Sequence, residues 1–204
     1  MTFRTFKSKL AAPVLAAVLG GAALGGCTTV AQETRISTPL SASEYNDIAA
    51  RYMERPTFAT VQAMTDGQEV LRLEMDTYGR NVDPTTGIEK PYTMVFDKRF
   101  VGEYLTLIDK YLEWEKLALE RSDLIEKDLG SASTWSGLGG TGRLDFSFYS
   151  ASASNHVLTI EYCAVGTCIN PFNFTHPNVV ELRKLLENFS AGRVGQADVD
   201  GIYN

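Results

Sequence analysis

The stretch NHVLTIEYCAVGTCINPFNF, residues 155–174, contains two apolar runs separated by a tight four-residue turn. A cysteine stands on each side of the turn, Cys163 and Cys168. Two short runs around such a turn predict an antiparallel hairpin. The preceding run RLDFSFYSA, residues 143–151, predicts a third strand beside it.

A second group of strands is predicted in the first half of the chain. QEVLRLEM alternates, with Leu71, Leu73 and Met75 on one face and charged residues on the other, as in a half-buried strand. The turn signal TDG joins it to the run TFATVQAM, and YTMVF gives a short third strand.

Three segments predict helices. The first begins at Ser41, in the capping-box sequence SASE, and ends before Pro56. The second covers residues 98–119 and continues toward Gly130, a natural stop. The third is THPNVVELRKLLENF, residues 175–189. Its predicted core side consists of Val180, Leu182, Leu185, Leu186 and Phe189.

The resulting order α-βββ-α-βββ-α predicts an α+β fold, with an antiparallel sheet of about six strands and helices packed on one face. We place this single domain at residues 42–190 and a C-terminal tail at 191–204. The polar segment 27–41 is predicted to be a flexible tether.

The N-terminus has three basic residues and no acid, followed by an uncharged run, residues 10–24. This is the secretory signal pattern, and the run is shorter than the roughly 20 apolar residues of a membrane-spanning helix. It ends in LGGC, which resembles the lipobox of bacterial lipoproteins. The resemblance implies that the signal peptide is residues 1–26 and that Cys27 is lipidated. An ordinary secretory signal with an incidental cysteine is the alternative.

The resemblance also implies an address. Residue 28 is Thr rather than Asp, which implies sorting to the outer membrane, with the domain in the periplasm or at the cell surface. Without residues 1–26 the chain has 16 basic and 25 acidic residues, a net charge of −9. That balance argues against nucleic acid and anionic membrane surfaces as partners, because both require a basic face.

The remaining cysteines fit an oxidising compartment, where a close pair is expected to be bridged. We therefore predict a structural disulfide between Cys163 and Cys168. Redox catalysis favours C-x-x-C, and zinc requires more ligands than two thiols and two distant histidines supply.

No motif predicts a catalytic, cofactor or metal site. GLGGTG, residues 137–142, follows a helix and opens a strand, the reverse of a dinucleotide loop. No G-x-S-x-G elbow is present, and His156 and His176 are interpreted as a turn residue and a helix cap. The C-terminal DVDG lacks the rest of a calcium loop.

Trp135 is the candidate binding residue, because it lies in a Gly/Ser-rich segment and tryptophan is enriched at binding hot spots. The alternative is that it packs over the sheet as a lid. Tyr78, Tyr92 and Tyr149 are candidates to line a groove, or ordinary sheet residues.

These observations predict a non-catalytic lipoprotein that binds another cell-envelope component, with an envelope protein as the expected partner. Two alternatives stay open: a small-ligand or lipid-binding module covered by the Trp135 segment, and a hydrolase of unknown class.

Overall fold

The computed structural model describes residues 28–77, 82–83, 85–136, 141–152, 155–164 and 166–194. The predicted signal peptide, Cys27 and the predicted tail from residue 195 onward lie outside the described residues.

Over these ranges the chain forms two antiparallel sheets and two α-helices. The four-stranded sheet has the order β1-β4-β5-β6, from β1 (Val30–Ile36), β4 (Thr57–Met64), β5 (Glu69–Met75) and β6 (Tyr92–Asp97). The six-stranded sheet has the order β3-β2-β10-β9-β8-β7, from β2 (Ala42–Asn46), β3 (Arg51–Arg55), β7 (Ile125–Trp135), β8 (Thr141–Ser152), β9 (Asn155–Ala164) and β10 (Thr167–Thr175). The helices are α1 (Val101–Arg121), which follows a 3-10 turn at Lys98–Phe100, and α2 (His176–Ser190).

The predicted α+β order is therefore wrong: the described chain is mostly β, with two sheets and two helices. The largest error is the helix predicted from Ser41, where the chain forms the hairpin β2–β3. Asn46 explains the difference, because its side-chain oxygen accepts the backbone N–H groups of Ile48 and Ala49 at 3.0 and 2.8 Å. Such local bonds compete with a helix. Ile48, which a helix would bury, is 99% exposed at the hairpin tip.

The second error concerns the end of α1. The helix stops at Ser122, which has a left-handed φ of 56°, and not at Gly130. Gly130 instead lies in β7, at a register shift against β8 and with a φ of 133°. The Gly/Ser-rich sequence up to Trp135 is thus the second half of a strand rather than a loop.

Strand β1 lies inside the segment for which the sequence predicts a tether. It pairs with β4 from Val30 to Ile36, so the chain joins the fold three residues after Cys27. Thr28 and Thr29 are also fixed to the β4–β5 turn: the Thr28 hydroxyl lies 3.2 Å from Asp66, and the backbones of Thr29 and Thr65 are hydrogen-bonded at 2.9 Å.

The other predicted elements are confirmed. β8, β9 and β10 pair in sequence, and β4 and β5 form the predicted hairpin with Leu71, Leu73 and Met75 fully buried. In α2 the register differs slightly, since Val179 is buried whereas Val180 is 43% exposed.

The core lies on one face of the six-stranded sheet. Every second residue of β8 points into it, namely Leu144, Phe146 and Phe148. From α1, Tyr111 packs edge-on to Phe148 with ring centroids 5.5 Å apart. The alternate residues of β8 face the other side of the sheet, which remains open and forms the candidate site.

Candidate functional site

The open face of the six-stranded sheet holds a groove of about 470 Å³. We call it the tyrosine groove. It is lined by Tyr45, Ala50, Tyr52, Glu126, Ser147, Tyr149, Ala151, Asn155, Thr159 and Glu161. A smaller depression of about 300 Å³ shares Tyr45, Tyr52 and Thr159 with it and adds Glu44, Tyr92, Pro171 and Asn173.

Sheet curvature creates this groove. Tyr52 is on β3 and Tyr149 is on β8, four strand spacings apart in the sheet order. In a flat sheet that separation would be about 19 Å. Because both residues line one groove, the β2–β3 hairpin must curl over the face of β8 and β9.

The aromatic wall of the groove comes from a directly opposed cross-strand pair. Tyr45 and Tyr52 are register partners in β2–β3, and their rings meet edge to face with centroids 5.3 Å apart. Tyr149 contributes a third ring from β8 and is 36% exposed. These rings therefore present a partly exposed aromatic surface.

The charge of the groove is negative. Glu126 and Glu161 line it, and no Lys, Arg or His is among the described residues that do so. In the adjoining depression, Glu44 lies 3.9 Å from Arg55, so that carboxylate is compensated. The pKa of Tyr52 is raised by burial first, and then by the nearby Tyr149, Tyr45 and Glu126. A phenolate is therefore disfavoured at this position.

The groups that converge in the tyrosine groove are ring faces, hydroxyls and carboxylates. Ser147 and Thr159 add hydroxyl groups to the lining. Such groups bind polar or charged ligands through hydrogen bonds and through the faces of the rings.

The structure contains the predicted disulfide between Cys163 and Cys168, directly opposed residues of β9 and β10. Asp145 on β8 lies against it, with one carboxylate oxygen 3.1 Å from the Cys163 sulfur. Arg143 pairs with the same carboxylate at 2.6 Å. Among the described residues this is the only group of three side chains that could ligate a metal, and the disulfide removes both thiolates that a metal would need.

The two histidines lie apart from the groove lining. His176 contacts the buried Glu115, which also accepts a hydrogen bond from Tyr111 at 3.2 Å, so the pair links α2 to α1. His156 is buried beside Phe148, and neither ring nitrogen has a hydrogen-bond partner within the described chain.

Trp135 is the last residue of β7 and is partly buried. It does not line the tyrosine groove, because Glu126, the groove residue of β7, is nine residues away, or about 30 Å along an extended strand. Whether it binds a partner or packs as a lid remains a prediction. Tyr78 lies outside the described residues, whereas Tyr149 lines the groove and Tyr92 lines the depression beside it.

Of the described groove residues, sequence reasoning named only Tyr149 and missed the others, which include Tyr45, Tyr52, Glu126 and Glu161. One signal was available. In β8 and β9, Ser147, Tyr149, Thr159 and Glu161 alternate with the core positions and are polar or aromatic, which is typical of an open, wettable face.

A second cavity, about 210 Å³ and mostly apolar, lies between the end of α1 and the start of β7, next to Trp114 and Ile125.

Within the described residues, no helix is both long enough and apolar enough to cross a membrane. The chain matches no protein-family model, no curated protein and no solved structure.

Proposed function

We propose that this chain is a lipid-anchored protein of the bacterial outer membrane, and that its domain binds another component of the cell envelope without catalysing a reaction. The observation that carries the binding role is the tyrosine groove, an open concave face with exposed rings and two carboxylates. The anchor rests on the lipobox-like sequence that ends at Cys27.

The short link between Cys27 and the domain determines which part of the domain an anchor would hold near the membrane. Thr28 and Thr29 are fixed to the β4–β5 turn, and Glu69 next to that turn pairs with Lys98 just before α1. An anchor at Cys27 therefore holds the β4–β5 turn and the start of α1 near the membrane.

The tyrosine groove extends toward the opposite end of the molecule. α1 has 21 residues and is thus about 30 Å long. Just after its end, the backbone oxygen of Asp123 accepts a hydrogen bond of 2.6 Å from Ser150, the neighbour of the groove residue Tyr149. The Tyr149 end of the groove then lies about 30 Å from the anchored turn.

The anchor is tested by intact-mass analysis of the protein purified from cell membranes, with Cys27→Ser as the matched variant. We expect a chain that begins at Cys27 and carries added acyl mass, and a variant without that mass. A mature Cys27 chain without lipid mass would reject the anchor.

The binding role is tested by photo-cross-linking in intact cells. A photoreactive amino acid replaces Tyr149 in the groove, and a matched control replaces Val180, which is 43% exposed on α2. We expect one dominant adduct from position 149 and none of that mass from position 180. Identical adducts at both positions, or none from an abundant folded protein at position 149, would contradict the proposal.

A further inference from the structure

We propose that the ligand of the tyrosine groove is an organic ammonium group, such as a lysyl side chain or a diamine. This inference rests on the proposed binding role of the groove and adds the chemical class of the ligand.

The tyrosine rings of the groove favour a positively charged ligand. Tyr45, Tyr52 and Tyr149 line one concave surface, and the ring planes of Tyr45 and Tyr52 stand at 70° to each other. The negative face of an aromatic ring attracts a cation within about 6 Å of its centroid. Several such rings around one concavity are a known means of holding ammonium groups.

The two carboxylates of the groove also favour a positively charged ligand. Glu126 and Glu161 line the groove, and neither forms an ion pair with a described Lys, Arg or His. An ammonium ligand would supply the missing positive charge. Burial first, and then neighbouring groups that include Glu126, raise the pKa of Tyr52, so the Glu126 carboxylate lies close enough to this ring to act on the same bound cation.

The lining of the groove argues against anions and bare metal ions as its ligand. An anion would meet two carboxylates without a basic residue among the described lining residues. A bare metal ion needs ligand atoms that converge on one point, and no described group of three acidic, His or Cys ligands does so in the groove. A volume of about 470 Å³ instead matches an organic ligand of several heavy atoms.

The test is calorimetric titration of the purified mature protein in detergent micelles. The probe is 1,5-diaminopentane, and 1,5-pentanediol is its uncharged control of the same length. We expect the diamine to bind at least about tenfold more tightly than the diol, a difference of about 1.4 kcal/mol. Binding should weaken as salt rises, because exposed charges are screened.

Variants locate the site. We expect Glu161→Gln and Tyr149→Leu each to weaken diamine binding by about tenfold or more. Glu103→Gln, which removes the same charge from the exposed surface of α1, should leave it unchanged. Equal effects of Glu161→Gln and Glu103→Gln would show only a general charge effect and would overturn the proposal.

The outcomes separate the ligand class from the binding role. Equal binding of diol and diamine, tighter binding of N-acetylglucosamine than of the diamine, or no binding of any probe would reject the ammonium class. The cross-linking result from position 149 stands independently of these titrations. A specific adduct combined with a failed titration would therefore retain the groove as a binding site and reject only its proposed ligand.

Discussion

Tyr104 joins three elements through its hydroxyl group, and Tyr104→Phe removes that group alone. The hydroxyl donates to the backbone oxygen of Ser133 in β7 at 2.5 Å and accepts the backbone N–H of Asp97, at the end of β6, at 3.2 Å. The ring itself is fully buried against Phe96 and Phe146, and phenylalanine keeps those contacts.

The expected cost follows from the two backbone groups that lose their partner. Each buried unsatisfied group costs about 1–3 kcal/mol, and the longer bond to Asp97 is the weaker one. We therefore expect Tyr104→Phe to lower the free energy of unfolding by about 2–4 kcal/mol. For a domain of this size, that corresponds to a fall in Tm of roughly 4–16 °C.

The assay is thermal and urea unfolding at pH 7, with Tyr149→Phe as the matched control on the open face. The control should change stability by less than about 0.5 kcal/mol. If Tyr104→Phe also cost less than that, the hydroxyl bonds would not hold β6, α1 and β7 together, and the reasoning would be refuted.

The same residue predicts an alkaline effect. Burial raises the pKa of Tyr104 to about 12, above its ordinary value of 10.0. The unfolded chain loses this proton first, so stability is fully present below pH 10 and falls as pH rises toward 12. The full loss is about 2–3 kcal/mol. Tyr104→Phe should lack this part of the decline, and parallel stability curves for the two proteins above pH 10 would contradict the assignment.

Three further changes have defined outcomes. Gly142→Ala places a Cβ in steric clash with the ring of Tyr162 and should cost about 1–3 kcal/mol in unfolding experiments. The control Gly102→Ala meets nothing within 4 Å and, in a helix, should be neutral or stabilising. Replacing both bridging cysteines by alanine should cost roughly 2 kcal/mol, because the closed loop is short; an unchanged denaturation midpoint would be inconsistent with this. His156→Phe should be neutral or stabilising, since the buried imidazole has no hydrogen-bond partner within the described chain, and a loss above about 2 kcal/mol would reveal a partner or function.

The sequence predicted those elements whose own pattern matches their burial. The alternation of Leu71, Leu73 and Met75 specified β5, and a helical stripe with Tyr104 and Tyr111 specified α1. In these segments local preference and tertiary environment agree, so periodicity alone is sufficient.

The sequence failed where a neighbouring strand decides the structure. Residues 130–135 include a glycine and two serines, which have little strand preference. The segment nevertheless pairs with residues 141–146 of β8. Residues 42–55 have helical spacing, but the side chain of Asn46 and the left-handed φ of 51° at Ala50 make a turn in their middle. Pairing and turn geometry override propensity in both places.

The candidate site was even less accessible to sequence reasoning, because the position of the β2–β3 hairpin depends on a few side chains. The ladder between β2 and β10 has a single registered pair, Ser43 with Asn173. Asn173 is buried, donates to the Ser43 backbone oxygen at 3.1 Å and accepts from the Thr159 hydroxyl at 2.8 Å.

The buried Asn178 holds the base of the same hairpin from α2. Its side-chain oxygen accepts the backbone N–H of Ser41 at 2.8 Å, and its nitrogen donates to Glu54 at 3.0 Å. Asn173 and Asn178 are far from the hairpin along the chain, and they attach it where a continuous backbone ladder is absent. They contribute to the placement of Tyr45 and Tyr52 over the face that carries Tyr149. No local pattern encodes such an attachment, since its partners are more than 100 residues apart along the chain.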